Sequence, residues 1–175
     1  SRWAFKATDG RTKWTSPAAG ADIHSSATTL SLDGSVVYVG SHDNKVWAFN
    51  ATDGSTVWTS AATGGDVDEG PTLSANGSVV YVGSKDDSVW AFDATDGSTK
   101  WRSAEAGQDI ETPPLESLAG TVVFAGSQDD KLYSFWTRDG SVTWASVHTP
   151  ADGPGDLTMS KDIRGIHAGS KGLED

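Results

Sequence analysis

The chain has 175 residues, enough for one domain with a substantial core, and its composition is 36 % hydrophobic with 20 glycines. Its 13 lysines and arginines against 24 aspartates and glutamates give a net charge of −11, which argues against nucleic acid and anionic membranes as partners. Because cysteine is absent, disulfides and thiolate metal sites are excluded. No apolar run approaches the ~18–20 residues of a membrane-spanning helix, so no membrane insertion is expected.

The chain begins with two short β-prone runs, at Trp3–Phe5 and Lys13–Thr15, separated by a Thr-Asp-Gly turn that predicts a hairpin. A complete unit follows at 27–60, in which four strand-like runs are joined by tight turns. Its longest run, SVVYVGS at 35–41, is apolar at successive positions, as is typical of a strand buried on both faces.

The same order of runs and turns recurs at 71–103 and at 114–146, and the runs at 156–160 and 165–170 match the first two strands of a further unit. Each unit closes on a tryptophan, and the four closing tryptophans are spaced by 44, 43 and 43 residues: Trp14, Trp58, Trp101 and Trp144. A fixed period in the forties is typical of an array of supersecondary units that bury their faces against each other.

These patterns predict an all-β fold, a β-propeller of four-stranded antiparallel blades with four repeats per chain. Three blades lie at 27–60, 71–103 and 114–146, and a closing blade combines 1–16 with 156–170, because unpaired strand edges invite aggregation. The termini pair either between two chains, as half of an eight-bladed ring in a homodimer, or within one chain, as a closed four-bladed ring. We favour the homodimer; the alternatives are the closed monomer and a fragment of a longer chain.

The stretch AFDATDGSTKW at 91–101, with its copies at 4–14, 48–58 and 134–144, resembles the tryptophan-docking motif of the quinoprotein, or pyrroloquinoline-quinone-like, repeat propellers. Asp93 matches the motif's acidic position, and Asp96 stands where the family has Thr. The resemblance implies that each closing tryptophan packs on a glycine-containing turn of a neighbouring blade. The glycines concerned are Gly10, Gly54, Gly97 and Gly140.

The family's quinone-dependent dehydrogenases have eight blades, and many carry adjacent cysteines, whereas this chain has four repeats and no cysteine. Other members are non-enzymatic, such as assembly scaffolds of the bacterial outer membrane and sensory ectodomains. We therefore expect a non-catalytic binding or protein-interaction scaffold rather than an enzyme. The alternatives are part of a quinone- or metal-dependent oxidoreductase and a carbohydrate-binding propeller, so a protein, a small molecule and a glycan all stay open as ligands.

The most regular polar feature is an aspartate eight residues after each closing tryptophan: Asp22, Asp66, Asp109 and Asp152. The simpler interpretation is a loop aspartate that accepts local backbone hydrogen bonds. The alternative is a ring of carboxylates that binds a hard cation such as Ca²⁺. No cofactor is expected, with Ca²⁺ as the one alternative.

Other polar and aromatic columns have structural interpretations. The acidic turns at 42–44, 85–87 and 128–130 are ordinary hairpin turns, and the variable column His24, Asp68, Glu111 and Pro154 is either ligand-facing or unconstrained. The aromatic column Trp3, Trp47, Trp90 and Tyr133 is expected in the blade core, with a sugar-binding shelf as the alternative. Sequons at Asn50 and Asn76 and a start at Ser1 slightly favour a secreted or periplasmic protein.

Overall fold

The computed structural model describes residues 3–5, 9, 11–17, 19–23 and 27–146, together with the backbone of two strands at 157–159 and 166–168. The described residues contain sixteen strands and no helix. Twelve of the strands form three four-stranded antiparallel sheets, each connected in sequence order. The expected blades of a β-propeller are therefore present, with the same topology in each.

The three complete blades start with a two-residue strand, continue with two six-residue strands and end with a four-residue strand. The first blade contains β3 (Thr29–Leu30), β4 (Val36–Ser41), β5 (Lys45–Asn50) and β6 (Thr56–Thr59). The second contains β7 (Thr72–Leu73), β8 (Val79–Ser84), β9 (Ser88–Asp93) and β10 (Thr99–Arg102). The third contains β11 (Leu115–Glu116), β12 (Val122–Ser127), β13 (Lys131–Trp136) and β14 (Val142–Ala145).

Each end of the array carries a separate two-stranded hairpin. At the start, β1 (Trp3–Phe5) pairs with β2 (Thr12–Thr15). At the end, β15 (Leu157–Met159) pairs with β16 (Ile166–Ala168). Among the described residues the two hairpins form separate two-stranded sheets, and the closing blade made from 1–16 and 156–170 stays a prediction.

The sequence pattern predicts the first strand of the first blade over 27–32, but β3 covers only Thr29–Leu30, because side chains of the following turn bind the backbone there. In the first blade the side chain of Ser31 accepts a hydrogen bond from the Val36 N–H at 2.9 Å and donates one to Asp33 at 2.6 Å. Asp33 also accepts the Ser35 N–H at 3.0 Å. Such side-chain bonds compete with the strand ladder, which therefore ends at Leu30.

The hydrophobic core lies between blades rather than within a single sheet. Tyr38, Val46 and Trp58 of the first blade pack with Val82 and Phe92 of the second in one buried cluster. A second cluster joins the second and third blades in the same way. Because each blade buries its two faces against neighbours, the central strands are apolar at successive positions.

Three closing tryptophans lie on the glycine turn of the following blade. The indole of Trp58 covers Gly97, whose φ is +74° and where an added Cβ would lie 2.5 Å from the ring. The Trp58 Nε1–H donates to the carbonyl of Ala94 at 3.0 Å, so the polar atom of the buried ring is satisfied. The contact repeats between Trp14 and Gly54, and between Trp101 and Gly140.

Candidate functional site

The linkers between blades and the turns beneath them form one continuous surface. We call it the linker face and define it by linker residues 60–71 and 103–114 and by the turns at 42–44, 85–87 and 128–130. Backbone hydrogen bonds join the two parts, since the Thr63 N–H donates to the Asn44 carbonyl at 2.7 Å and the Ala106 N–H to the Asp87 carbonyl at 2.7 Å. Backbone hydrogen bonds to the turns therefore hold the linkers of this face in place.

Each linker is tied to two blades at the predicted aspartate position. The carbonyl of Asp66 accepts the Lys85 N–H of the following blade at 3.0 Å, and the Val67 N–H donates to the Ser41 carbonyl of the preceding blade at 3.3 Å. The Val67 side chain is fully buried against Gly40, where an added Cβ would lie 2.6 Å from it. The backbone of this linker is therefore fixed, and its polar side chains are presented at the junction between blades.

The second residue of each turn is an aspartate whose side chain accepts hydrogen bonds from neighbouring elements. In the second blade, Asp86 accepts the Gly64 N–H at 2.9 Å and the Trp90 Nε1–H at 3.0 Å, which joins turn, linker and strand. Asp43 does the same in the first blade with Gly20 and Trp47. The aromatic column stacks on the phenylalanine two residues later in each blade, as Trp90 does on Phe92.

A charged cluster lies across the junction between the first and second blades. One carboxylate oxygen of Asp68 lies 2.5 Å from the His42 Nε2, and the other lies 2.6 Å from the Lys85 Nζ. The hydrogen bond to Asp68 raises the pKa of Lys85. The ligand-type atoms of His42, Asp66 and Asp68 all lie within 4.8 Å of one another, the arrangement of the described residues best suited to a cation.

The equivalent junction between the second and third blades carries a different cluster. Burial raises the pKa of the Asp109 carboxyl, and the nearby charges of Asp87 and Glu111 raise it further. A hydrogen bond between the side chains of Asp87 and Asp109 contributes in the same direction. At the first junction Asp68 contacts both His42 and Lys85. At the second, the charges of Asp87 and Glu111 act on Asp109 and the Lys85 charge opposes them only in part, although the backbones of the two junctions are built alike.

The predicted site residues are placed as follows. Asp22, Asp66 and Asp109 occupy equivalent linker positions, since each carbonyl accepts the first N–H of a turn. Asp66 groups with His42 and Asp68, and Asp22 and Asp109 are not members of that group. Asp152 lies outside the described residues, as do His24, Pro154 and Gly10. The structure holds Asp22, Asp66 and Asp109 in separate linkers, and the metal site stays a prediction.

The cross-junction cluster of His42, Asp68 and Lys85 was not predicted from the sequence. The sequence placed His42 and Lys85 in turns and Asp68 in a linker, without a reason to join them. The sequence does contain a signal for such ion pairs, because basic side chains occupy the first turn position at His42 and Lys85, and acidic side chains occupy the linker position at Asp68 and Glu111. In the part of the chain that the structure describes, no helix is long and apolar enough to span a bilayer.

Comparison with protein families gives one match over nearly the whole array. The family model described as outer membrane protein assembly factor BamB matches residues 3–165. A search of curated proteins found no significant match.

Solved structures share the fold at low identity. BamB from Moraxella catarrhalis superposes with a TM-score of 0.71 at 22 % identity, over 87 % of this chain and 45 % of that one. The computationally designed Ika8 protein gives a TM-score of 0.75 at 14 % identity, over 90 % of this chain and 46 % of that one. The computationally designed Ika4 protein gives 0.75 at 14 % identity, over 93 % of both chains. This chain thus spans about half the length of the first two, and at such identities the likeness establishes the fold alone.

Proposed function

The chain belongs to the family of the outer membrane protein assembly factor BamB, and on that premise we propose that it is a non-catalytic propeller module that binds other proteins. The observation that carries the proposal is the match of that family over residues 3–165, which includes all three complete blades. The name of that family describes an assembly factor, a protein whose task is binding. Rigid blades with variable loops suit such a task.

The linker face is the proposed binding surface. Residues that repeat in every blade, such as Trp58 and Gly97, hold blades together, whereas the linker face changes from junction to junction. The half-exposed carboxylate of Asp109 is held on hydrogen-bonded backbone, so a partner binds it with little loss of conformational entropy. With a net charge of −11, we expect the partner to present a basic surface, because complementary charge favours encounter and register.

Site-specific photo-crosslinking in source cells tests this surface. A photoreactive residue at Gln108, which is exposed on the linker face, should give discrete adducts with a partner protein. The matched control is the exposed Thr99 on β10, outside the linker face. Glu111→Gln should weaken the adduct, whereas Thr99→Lys, which changes the charge by the same amount, should not. Equal adducts at both positions, or none at either, would refute the proposed surface.

The compartment and the non-enzymatic role are parts of the same proposal. We place the protein in the cell envelope, in keeping with the outer membrane named in its family, and fractionation of source cells tests this. Visible absorption after addition of pyrroloquinoline quinone and Ca²⁺ tests the oxidoreductase alternative, and a glycan array tests the carbohydrate-binding one. A quinone spectrum with turnover, or a defined glycan hit, would replace the scaffold role.

The proposed module needs no cofactor. We expect calorimetry with millimolar Ca²⁺ to give no binding heat, because the Lys85 ammonium already neutralises Asp68 at the cluster best suited to a cation. Heat that disappears in Asp66→Asn but persists in Asp53→Asn, an exposed aspartate on another turn, would instead assign a cation site.

The proposed working form is a homodimer. The last complete blade exposes an apolar surface at Trp144, which is 44 % exposed, and the chain also carries a hairpin of the kind that covers such a surface. A scaffold of this size gains a wider binding surface by pairing.

A further inference from the structure

Three side chains that can ligate a metal converge at the junction between the first and second blades. Asp66 and Asp68 are half-exposed and flank Val67, which is fully buried and fixes the linker. His42 lies on the turn beneath this linker. One ligand atom from each of His42, Asp66 and Asp68 lies within 4.8 Å of the other two. The fold therefore brings three donors close enough to share one ion.

The donor set indicates which class of ion fits. Two carboxylates and one imidazole supply oxygen and nitrogen together, and imidazole is a good ligand for Zn²⁺ and other first-row transition ions. Ca²⁺ takes about six to eight ligands, all of them oxygen. Three protein ligands with a water in the remaining position are a common arrangement around Zn²⁺. The donors therefore favour Zn²⁺ over a hard cation, in keeping with the absence of Ca²⁺ binding expected above.

The observed distances require only small side-chain movements. Zn²⁺ binds nitrogen and oxygen at roughly 2.0–2.2 Å in a tetrahedron, so its ligand atoms lie about 3.4 Å apart. The Nε2 atom of His42 lies 2.5 Å from the Oδ1 atom of Asp68, and no pair of ligand atoms in the cluster is more than 4.8 Å apart. Each separation therefore has to change by about 1.4 Å at most to fit the tetrahedron, which half-exposed side chains achieve by small rotations.

Lys85 supports this arrangement without occupying the place of the ion. Its Nζ lies 2.6 Å from the Oδ2 atom of Asp68, whereas the Oδ1 atom of Asp68 faces His42. One oxygen can thus bind a metal while the other keeps its ammonium partner, and outer partners of this kind orient ligating carboxylates. With a neutral imidazole, two carboxylates and one ammonium leave one negative charge unbalanced, and that charge attracts a cation.

The equivalent junction between the second and third blades lacks the nitrogen donor. Asp109 and Glu111 occupy its two linker positions, but Lys85 stands where the first junction has His42. An ammonium group has no lone pair to offer a metal. Because the two linkers make the same backbone hydrogen bonds, the second junction is a matched control for the first.

We propose that His42, Asp66 and Asp68 bind one Zn²⁺ ion, with water in the fourth position. The ion joins the turn of the first blade to the linker that leads into the second blade, so binding stabilises this junction. The fourth position faces solvent, because all three side chains are half-exposed. The scaffold role proposed above does not depend on this ion, and each proposal can fail without the other.

Calorimetry with Zn²⁺ on the purified chain tests the site. The parent protein should bind one ion, and His42→Ala and Asp66→Asn should each lower the affinity by more than about tenfold, since even outer partners of a metal contribute about 10–100-fold. Asp109→Asn, the matched control, should leave binding unchanged. Circular dichroism shows whether each variant is folded. No binding by the parent protein, an equal loss in Asp109→Asn, or full affinity in His42→Ala through the other three histidines would overturn the proposal.

Replacement of Zn²⁺ by Co²⁺ gives a second readout that needs no variant. Titration of the parent protein with Co²⁺ should produce the intense visible absorption of a tetrahedral site, which reaches its maximum at one ion per chain and disappears when Zn²⁺ is added. Excess Ca²⁺ should leave this absorption unchanged. If only the weak spectrum of hydrated Co²⁺ appears, or if Ca²⁺ abolishes the tetrahedral spectrum, the zinc site is refuted.

Discussion

The contact between a closing tryptophan and its glycine turn can be isolated by comparing two glycines of the same conformation. Gly97 has a φ of +74° and lies under Trp58, whereas Gly34 has a φ of +72° with nothing within 4 Å of an added Cβ. Alanine at either position has to adopt the left-handed region, which costs roughly 1–2 kcal/mol. Gly34→Ala therefore measures the backbone strain alone.

Gly97→Ala should cost more, because it also displaces the ring. The new Cβ would lie 2.5 Å from the Trp58 Cε3, whereas carbon atoms pack at about 3.5 Å, so the indole has to move by about 1 Å. That movement disturbs the 3.0 Å bond from the Trp58 Nε1–H to Ala94. Overpacking of this kind costs about 1–3 kcal/mol, which gives about 2–5 kcal/mol in total.

Urea denaturation followed by circular dichroism measures both variants under one set of conditions. In a Trp58→Ala background the ring is gone, and Gly97→Ala should then cost no more than Gly34→Ala; the difference is the coupling energy of the contact. If Gly97→Ala and Gly34→Ala differ by less than about 0.5 kcal/mol in the parent protein, within the additivity error of such measurements, the tryptophan does not stabilise the junction.

Three further substitutions test separate parts of the fold by the same denaturation assay. Trp101→Ala should lower the free energy of unfolding by about 3–5 kcal/mol, and a loss below 1 kcal/mol would contradict its burial. Ser134→Ala should raise the free energy of unfolding by about 1 kcal/mol, because the buried Ser134 Oγ has no hydrogen-bond partner among the described residues. Alanine fits this position, since Ala48 occupies the equivalent one in the first blade. A lower free energy of unfolding would show that Ser134 has a partner. Asp87→Asn should raise it by about half a kcal/mol at pH 7, a small value because the site is solvent-screened. Because the pKa of Asp109 is raised in the folded protein, the ionised carboxylate destabilises the fold above its folded-state pKa and has no effect below its ordinary pKa of 3.8. The stability gained by Asp87→Asn should therefore vanish near pH 3. A gain that persists at pH 3 would have another cause.

The repeating unit can be read from the sequence alone. The spacing of the closing tryptophans, the Gly-containing turns and the run at 35–41, which is apolar at successive positions, predicted four-stranded blades, and β3 to β14 form three such blades. These features are local or strictly periodic, so each copy of the repeat supports the interpretation of the others. The first strand of the first blade, predicted over 27–32, covers only Thr29–Leu30, because turn side chains such as Ser31 compete for the backbone. The second and fourth strands are each one residue shorter than the predicted runs 35–41 and 56–60.

Which side chains meet at the junctions depends on how the blades pack against one another in three dimensions. Asp68 contacts His42 and Lys85, which belong to two different blades, and no sequence period specifies that meeting. The difference between an ion-paired junction and one where Asp87 faces Asp109 likewise depends on how neighbouring blades pack. The same holds for Trp144, whose sequence position matches that of Trp58 but whose exposure depends on whether a glycine turn lies beside it. Strand pairing is set by turn chemistry over a few residues, whereas contacts between blades depend on the relative position of whole sheets.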